Sequence, residues 1–153
     1  MHILESYLAE HPFLKGLEPH HIKTIADCAS DIQFDAGQSI LHEGDEANNF
    51  YVIRHGKIAI KLFSAERGSL TIQTIGAGEV LGWSWLIPPY RWRFDAQAIE
   101  ITRAVALDAR CLRNKCEQDH DLGYELLKRF SSIVAHRLEA TCLQLLDFYG
   151  VRA

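Results

Sequence analysis

The residues best suited to ligand chemistry lie between Gly78 and Ala98, in the run GEVLGWSWLIPPYRWRFDAQA. Gly78 and Gly82 permit close approach to the backbone, so the N–H groups of Gly82, Trp83 and Ser84 can face an anion. Glu79 can orient this loop or stand in solvent. Arg91 and Arg93 offer charge, and Trp83 and Trp85 offer aromatic faces for a purine or similar ring, although such residues also serve as core anchors. Tyr90-Arg91-Trp92-Arg93 has the composition of a protein-contact hot spot, or of a loop packed beneath a helix. This is the chemistry of holding a ligand. No Ser/His/Asp order, nucleophile elbow, P-loop or paired-carboxylate motif is visible, so an enzyme is not expected.

The direction of the two arginines is left open by the local pattern. Tyr90, Trp92, Phe94, Ala96 and Ala98 alternate with Arg91, Arg93, Asp95 and Gln97. A strand that already begins at Tyr90 turns the aromatics inward and both arginines outward. A chain still irregular as far as Trp92 lets Arg93 turn inward and complete an anion site. A buried phosphate needs charge-assisted partners worth about 1.5–3 kcal/mol each, and Asp95 would repel it.

The rest of the chain must position this stretch. Its 153 residues, 48% hydrophobic and 24% charged, suit one soluble domain. A net charge of -4 gives no general attraction for a nucleic-acid backbone. No apolar run reaches the ~18 residues of a membrane span, and the first residues lack the order of a signal peptide, so a cytoplasmic location is expected. Cys28, Cys111, Cys116 and Cys142 are scattered, and the expectation is reduced, mostly buried thiols. His20-His21 and the other histidines match no metal-ligand spacing, so no metal site is expected.

Leu4, Tyr7 and Leu8, with Ile3, fall at helical spacing before Pro12. A second helix is predicted from Pro19 to about Ala29, with Ile22, Ile25, Ala26 and Ala29 inward. From Ile32 short apolar strands are punctuated by glycines at 37, 44 and 56, the rhythm of a barrel or sandwich. Ile58, Ile60 and Leu62 alternate with Lys57, Ala59 and Lys61 as a half-buried strand. Glu66 to Ser69 makes a hairpin turn before Leu70 to Ile75. Beyond Ala98, the run from Ile99 to Leu107 is predicted as a strand, and Asp108 as the cap of a helix reaching about Glu117.

A long helix is predicted from about Leu122 to Phe148. Leu127, Phe130, Val134, Leu138, Thr141, Leu145 and Phe148 form a stripe close to a coiled-coil repeat. Such a helix is about 40 Å long and overhangs a small barrel, which favours a shared, dimer-forming role over simple cover.

In this order of elements the sequence resembles the cyclic-nucleotide-binding domain of catabolite-activator and Fnr-type (Crp/Fnr) regulators. The resemblance spans about residues 13–149. It rests on Leu17, on Gly37 and Ile40 followed by Gly44-Asp45, and on Tyr51-Val52-Ile53 with Gly56. Gly78-Glu79-Val80-Leu81-Gly82 and Asp108 complete it. It implies an α+β, mainly β fold: a jelly-roll (double-stranded β-helix) barrel with N-terminal helices and a long C-terminal dimerisation helix. Residues 1–30 would form the N-terminal helices, 31–107 the barrel with its phosphate-binding cassette at 78–98, and 108–149 the C-terminal helices.

The family's cassette reads Gly-Glu-x-x-Gly-Glu, a short helix, then Arg-Ser/Thr-Ala. Gly78, Glu79 and Gly82 match, whereas Trp83 replaces the glutamate that binds the ribose. The phosphate-binding arginine would fall at Trp92 or Arg93, without the Ser/Thr-Ala that follows. The resemblance implies a regulatory sensor that binds a small ligand, a cyclic nucleotide or another, and signals through its C-terminal helix; with these departures cAMP and cGMP are expected to bind weakly or not at all. The candidate ligand residues are Gly78, Glu79, Gly82, Trp83, Ser84, Arg91, Trp92 and Arg93. A homodimer is expected, and a protein-binding scaffold that has lost nucleotide binding is the alternative. Some relatives sense gases or redox state, but the spacing of His136 and Cys142 does not call for it. Only Val151-Arg152-Ala153 follow Tyr149-Gly150, too few for a recognition helix, so DNA binding by this chain is not expected.

Overall fold

The computed structural model describes residues 2–150, with the side chains of 4–150. Val151, Arg152, Ala153 and the side chain of Ile3 lie outside the described residues. Two N-terminal helices, α1 (His2–Glu10) and α2 (Pro19–Ala26), precede eight strands. The strands are β1 (Ala29–Phe34), β2 (Ser39–Leu41), β3 (Asn49–His55), β4 (Lys57–Ser64), β5 (Gly68–Gly76), β6 (Val80–Leu81), β7 (Asp95–Ala98) and β8 (Thr102–Asp108). A single 3-10 turn, Ser84–Leu86, interrupts the cassette, and α3 (Ala109–Gln118) and α4 (His120–Phe148) close the chain.

The strands form two antiparallel four-stranded sheets, ordered β1-β8-β3-β6 and β2-β7-β4-β5. Apart from the β4–β5 hairpin, consecutive strands change sheets, as in a jelly roll, which leaves the apolar faces to meet inside. Phe34, Phe50, Val52, Ile53, Ile58, Ile60, Leu81, Ala96 and Val105 are buried in the core, β3 burying both of its faces. Leu8 and Leu14 from the N-terminal segment and Ile25 of α2 are buried on the same core.

Three predicted boundaries move. Ala29 opens β1, paired with Leu107, and does not continue α2. The strand predicted from Ile99 to Leu107 is broken: β7 ends at Ala98, Ile99 and Ile101 are exposed, and pairing resumes at Thr102. The break is where the chain crosses from one sheet to the other. On β4, Ile58, Ala59 and Ile60 are all buried, and a register shift against β5 after Ile60 leaves Leu62 exposed, so the simple alternation stops there.

The cysteine expectation is corrected. Cys28 and Cys111 form a disulfide, Cys116 is partly buried, and Cys142 is exposed. The bridge follows from the sheet: β1 pairs with β8, Asp108 N–H donates to Cys28 O (2.9 Å), and Cys111 lies in the first turn of α3 just beyond. Asp108 caps that turn as predicted, its Oδ1 accepting from Cys111 N–H (2.8 Å). Burial pushes the Cys116 thiol up to about 11, so it is protonated at neutral pH.

The long helix α4 divides into two parts. Leu122, Leu126 and Phe130 are buried. Phe130, counted in the predicted stripe, is 3% exposed and packs edge-on against Phe13, Phe50 and Trp85 at 4.8, 5.2 and 5.5 Å between ring centres. It belongs to this chain's own core. Leu127, Val134, Leu138, Thr141, Leu145 and Phe148 are exposed, with Leu138 at 63% and Phe148 at 78%. No helix among the described residues is long and apolar enough to cross a membrane.

Candidate functional site

Gly78 and Gly82 both adopt positive φ (86° and 98°), the conformation that favours glycine. Gly78 N–H donates to Ile53 O (3.0 Å) and Ile53 N–H to Glu79 O (2.9 Å), which ties the start of the cassette to β3. The Glu79 carboxylate folds back and accepts from Gly76 N–H (2.7 Å). Gly82 has a further reason to lack a side chain. A Cβ there would sit 2.5 Å from Cη2 of Trp92, so the indole rests directly on the backbone.

The direction of Arg93 is decided by bonds to a distant segment. Trp92 N–H donates to Asp45 O (2.9 Å) and Gly44 N–H to Trp92 O (2.8 Å). Ala47 N–H donates to Tyr90 O (2.7 Å), and Asp95 Oδ1 accepts from Glu43 N–H (2.7 Å). Held this way, Trp92 and Phe94 turn into the barrel, and Arg91 and Arg93 stand exposed. Regular strand begins only at Asp95, yet the in-out alternation is already in force from Arg91. Arg91 donates to Gly44 O (2.9 Å), pinning the same junction from outside.

The interior of the cassette is aromatic. Trp85 is stacked on Phe50 with ring centres 4.6 Å apart and serves the core. Trp83 is half-buried, with the Phe94 ring tilted against it at 5.3 Å. Ser84 is buried, and its hydroxyl makes no hydrogen bond among the described residues. Arg113 of α3 braces the loop by donating to Trp85 O (2.6 Å) and lying over the Tyr90 ring.

Three small cavities meet the cassette beside α4: one of about 290 Å³ lies between Trp83, Leu86 and Ile87 and the α4 residues Leu127, Phe130 and Val134, and two reach Arg137. Of these two, one, about 150 Å³, is lined chiefly by Ile60, Gln73, Trp83, Phe94, Arg137 and Thr141. The other, about 280 Å³, includes Gly78, Glu79, Val80, His136 and Arg137. Arg137 borders both. Its guanidinium lies over the Trp83 ring at 4.6 Å and donates to Val80 O (3.2 Å). Burial lowers its pKa to about 10, with the nearby Glu79 carboxylate opposing that shift, so it stays charged at neutral pH.

Of the residues singled out in the sequence, Gly78, Glu79 and Trp83 line these cavities. Gly82 lies beneath Trp92, while Ser84, Arg91 and Arg93 stand apart from all three cavities. Arg137 was not anticipated. The available signal was its place on the inward face of α4, seven residues after Phe130 and four after the partly buried Ile133.

Glycines at the barrel corners, a turn-interrupted loop between β6 and β7, and a long helix packed beside that loop define a jelly-roll domain with flanking helices. The model of the cyclic nucleotide-binding domain matches residues 31–119, and the chain belongs to that family. It is similar to the CRP-like cAMP-activated global transcriptional regulator of Mycobacterium tuberculosis, 24% identical over 94% of this chain and 62% of the regulator. The chain thus spans less than two thirds of that protein's length. Among solved structures, a cyclic nucleotide-binding domain from Methylobacillus flagellatus superposes with a TM-score of 0.81 at 19% identity, over 94% of this chain and 84% of that one. The regulatory subunit of a cAMP-independent protein kinase A from Trypanosoma brucei gives 0.69 at 23% identity, over 83% and 45%.

Proposed function

We propose that this domain is a non-catalytic sensor that takes a small aromatic anion, not cAMP or cGMP, between the cassette and α4. The observation that carries the reading is the exchange of arginines: Arg91 and Arg93 face outward, while Arg137 borders two of the cavities from α4. A space of about 150 Å³ suits a single ring, and all three cavities fall below the ~300 Å³ at which pockets for larger ligands begin. Trp83 and Phe94 supply the apolar walls. Arg137 has no carboxylate within 4 Å among the described residues, so it can accept a ligand's anionic group.

Because the anion partner is on α4, a ligand would bind one position of that helix better than another, which is what a switch requires. The cAMP-independent kinase subunit of Trypanosoma brucei supports separating this fold from cAMP. A thermal-shift screen with cyclic mono- and dinucleotides, haem and small aromatic carboxylates tests the reading. Stabilisation is expected from an aromatic carboxylate and from neither cAMP nor cGMP, and Arg137→Gln is expected to weaken that binding ~10-fold or more. A ligand that stabilises wild type and Arg137→Gln equally would contradict the assignment.

A second reading is favoured by the exposed Leu127, Val134, Leu138, Leu145 and Phe148: the outer face of α4 joins two copies of the chain. Such a homodimer is compatible with ligand sensing. It would also serve a regulatory scaffold in which the aromatic interior is structural.

A further inference from the structure

We propose that Glu18, His20 and His21, at the start of α2, form a binding site for a divalent first-row transition-metal ion. The site is separate from the cassette. One ligand atom from each of the three side chains lies within 4.8 Å of the others. His20 Nδ1 is 3.2 Å from Glu18 Oε2, and the two imidazole rings are 4.1 Å apart.

The independent observation is His21. It is 4% exposed, and its Nδ1 makes no hydrogen bond among the described residues. A buried ring nitrogen without a partner is costly, and such groups call for a specific role. His21 Nε2 lies 3.3 Å from Asp119 Oδ2. A metal-bound histidine commonly points its second nitrogen at a carboxylate in this way, which leaves Nδ1 as the ligand atom.

His21 also lines a cavity of about 280 Å³ whose wall carries the carboxylates of Glu18, Asp121 and Glu125. Glu125 is engaged by Arg129 (2.6 Å) and Lys128 (3.4 Å), so Glu18, Asp119 and Asp121 supply most of the local negative charge. These charges offset the unfavourable positive end of the α2 dipole. The donors fit the ion: imidazole and carboxylate together suit Zn2+, Ni2+ or Cu2+ better than Mg2+ or Ca2+. Metal–ligand bonds of ~2.0–2.1 Å require the three groups to draw together. Glu18 and His20 are exposed and can rotate, while buried His21 is the fixed anchor. Since Asp119 is the N-cap of α4, an ion here would connect α2 to the root of the long helix.

The test is Zn2+ titration by calorimetry of the full, tag-free chain carrying Cys116→Ser and Cys142→Ser, which removes the free thiols as competitors. One Zn2+ per chain is expected. Glu18→Gln combined with His20→Asn changes only exposed side chains and should weaken binding ~10-fold or more while leaving the metal-free melting temperature unchanged. His21→Ala should abolish binding, and the Glu18/His20 variant decides the matter if His21→Ala does not fold. Absence of Zn2+ binding, or equal affinity in the Glu18/His20 variant, overturns the site.

Discussion

At Gly82 a backbone and a side chain claim the same volume. The Trp92 indole occupies the space of a Cβ at 2.5 Å, and the φ of 98° is itself unfavourable for any other residue. Gly82→Ala is therefore expected to destabilise the fold by ~2–4 kcal/mol, from backbone strain and displaced indole together. Trp92→Leu in the same chain should recover part of that loss, since the collision disappears and the strain remains. Urea unfolding of the two single variants and the double variant measures the coupling, and simple additivity would show that the two residues do not compete. The glycines of this cassette were legible because Gly78-Glu79-Val80-Leu81-Gly82 matches the family's Gly-Glu-x-x-Gly. The directions of Arg91 and Arg93 were not, since they depend on hydrogen bonds to residues 43–47, far away in the sequence. Arg137 was hidden for a similar reason: only the packing of α4 on the barrel shows which polar side chain faces inward.

Among the elements, α4 carries the clearest division. Its first part is sealed into the core by Leu122, Leu126 and Phe130, and its later part leaves Leu138 and Leu145 exposed. If those residues form a seam, Leu138→Lys with Leu145→Lys would bury unpaired charge and yield a folded monomer by light scattering. A wild-type monomer at tens of micromolar would remove the seam. Phe130→Ala is expected to act differently, costing ~3–5 kcal/mol of fold stability, because its partners belong to the same chain. The stripe of threes and fours was legible, but whether Phe130 faced inward depended on Phe13, Phe50 and Trp85, none of them near in sequence.

The N-terminal segment has its own signature. His11 is buried, with Nδ1 accepting from Phe13 N–H (3.2 Å) and Nε2 3.2 Å from Ile53 O, so the neutral ring satisfies both neighbours. Burial lowers its pKa below the ordinary 6.5, a shift opposed by the bond to Ile53 O. The unfolded chain then binds the proton more readily. Stability from this group is fully present above about pH 6.5 and is lost as pH falls through the lowered folded value. His11→Gln should flatten that part of the pH dependence in thermal unfolding.

Over the whole molecule, two sheets exchange consecutive strands everywhere but at the β4–β5 hairpin, and the helices close the two ends of the chain. This order was legible because glycine-punctuated apolar runs and capped helices are local signals. The crossing at residues 99–101 was not, because an apolar run reads the same whether it continues one strand or changes sheets. The Cys28–Cys111 bridge was equally invisible, its ends 83 residues apart until β1 and β8 pair. Alkylation of the denatured, non-reduced protein should modify Cys116 and Cys142 and spare Cys28 and Cys111. Labelling of all four would restore the reduced state expected from composition.

Aromatic side chains take up the interior of the loop at 78–98, and the guanidinium of Arg137 reaches its cavities from α4. Calorimetric titration with cAMP tests that description most directly. No binding heat is expected at cAMP concentrations up to ~1 mM, where a competent site of micromolar affinity would saturate. Stoichiometric binding with a micromolar dissociation constant would contradict it.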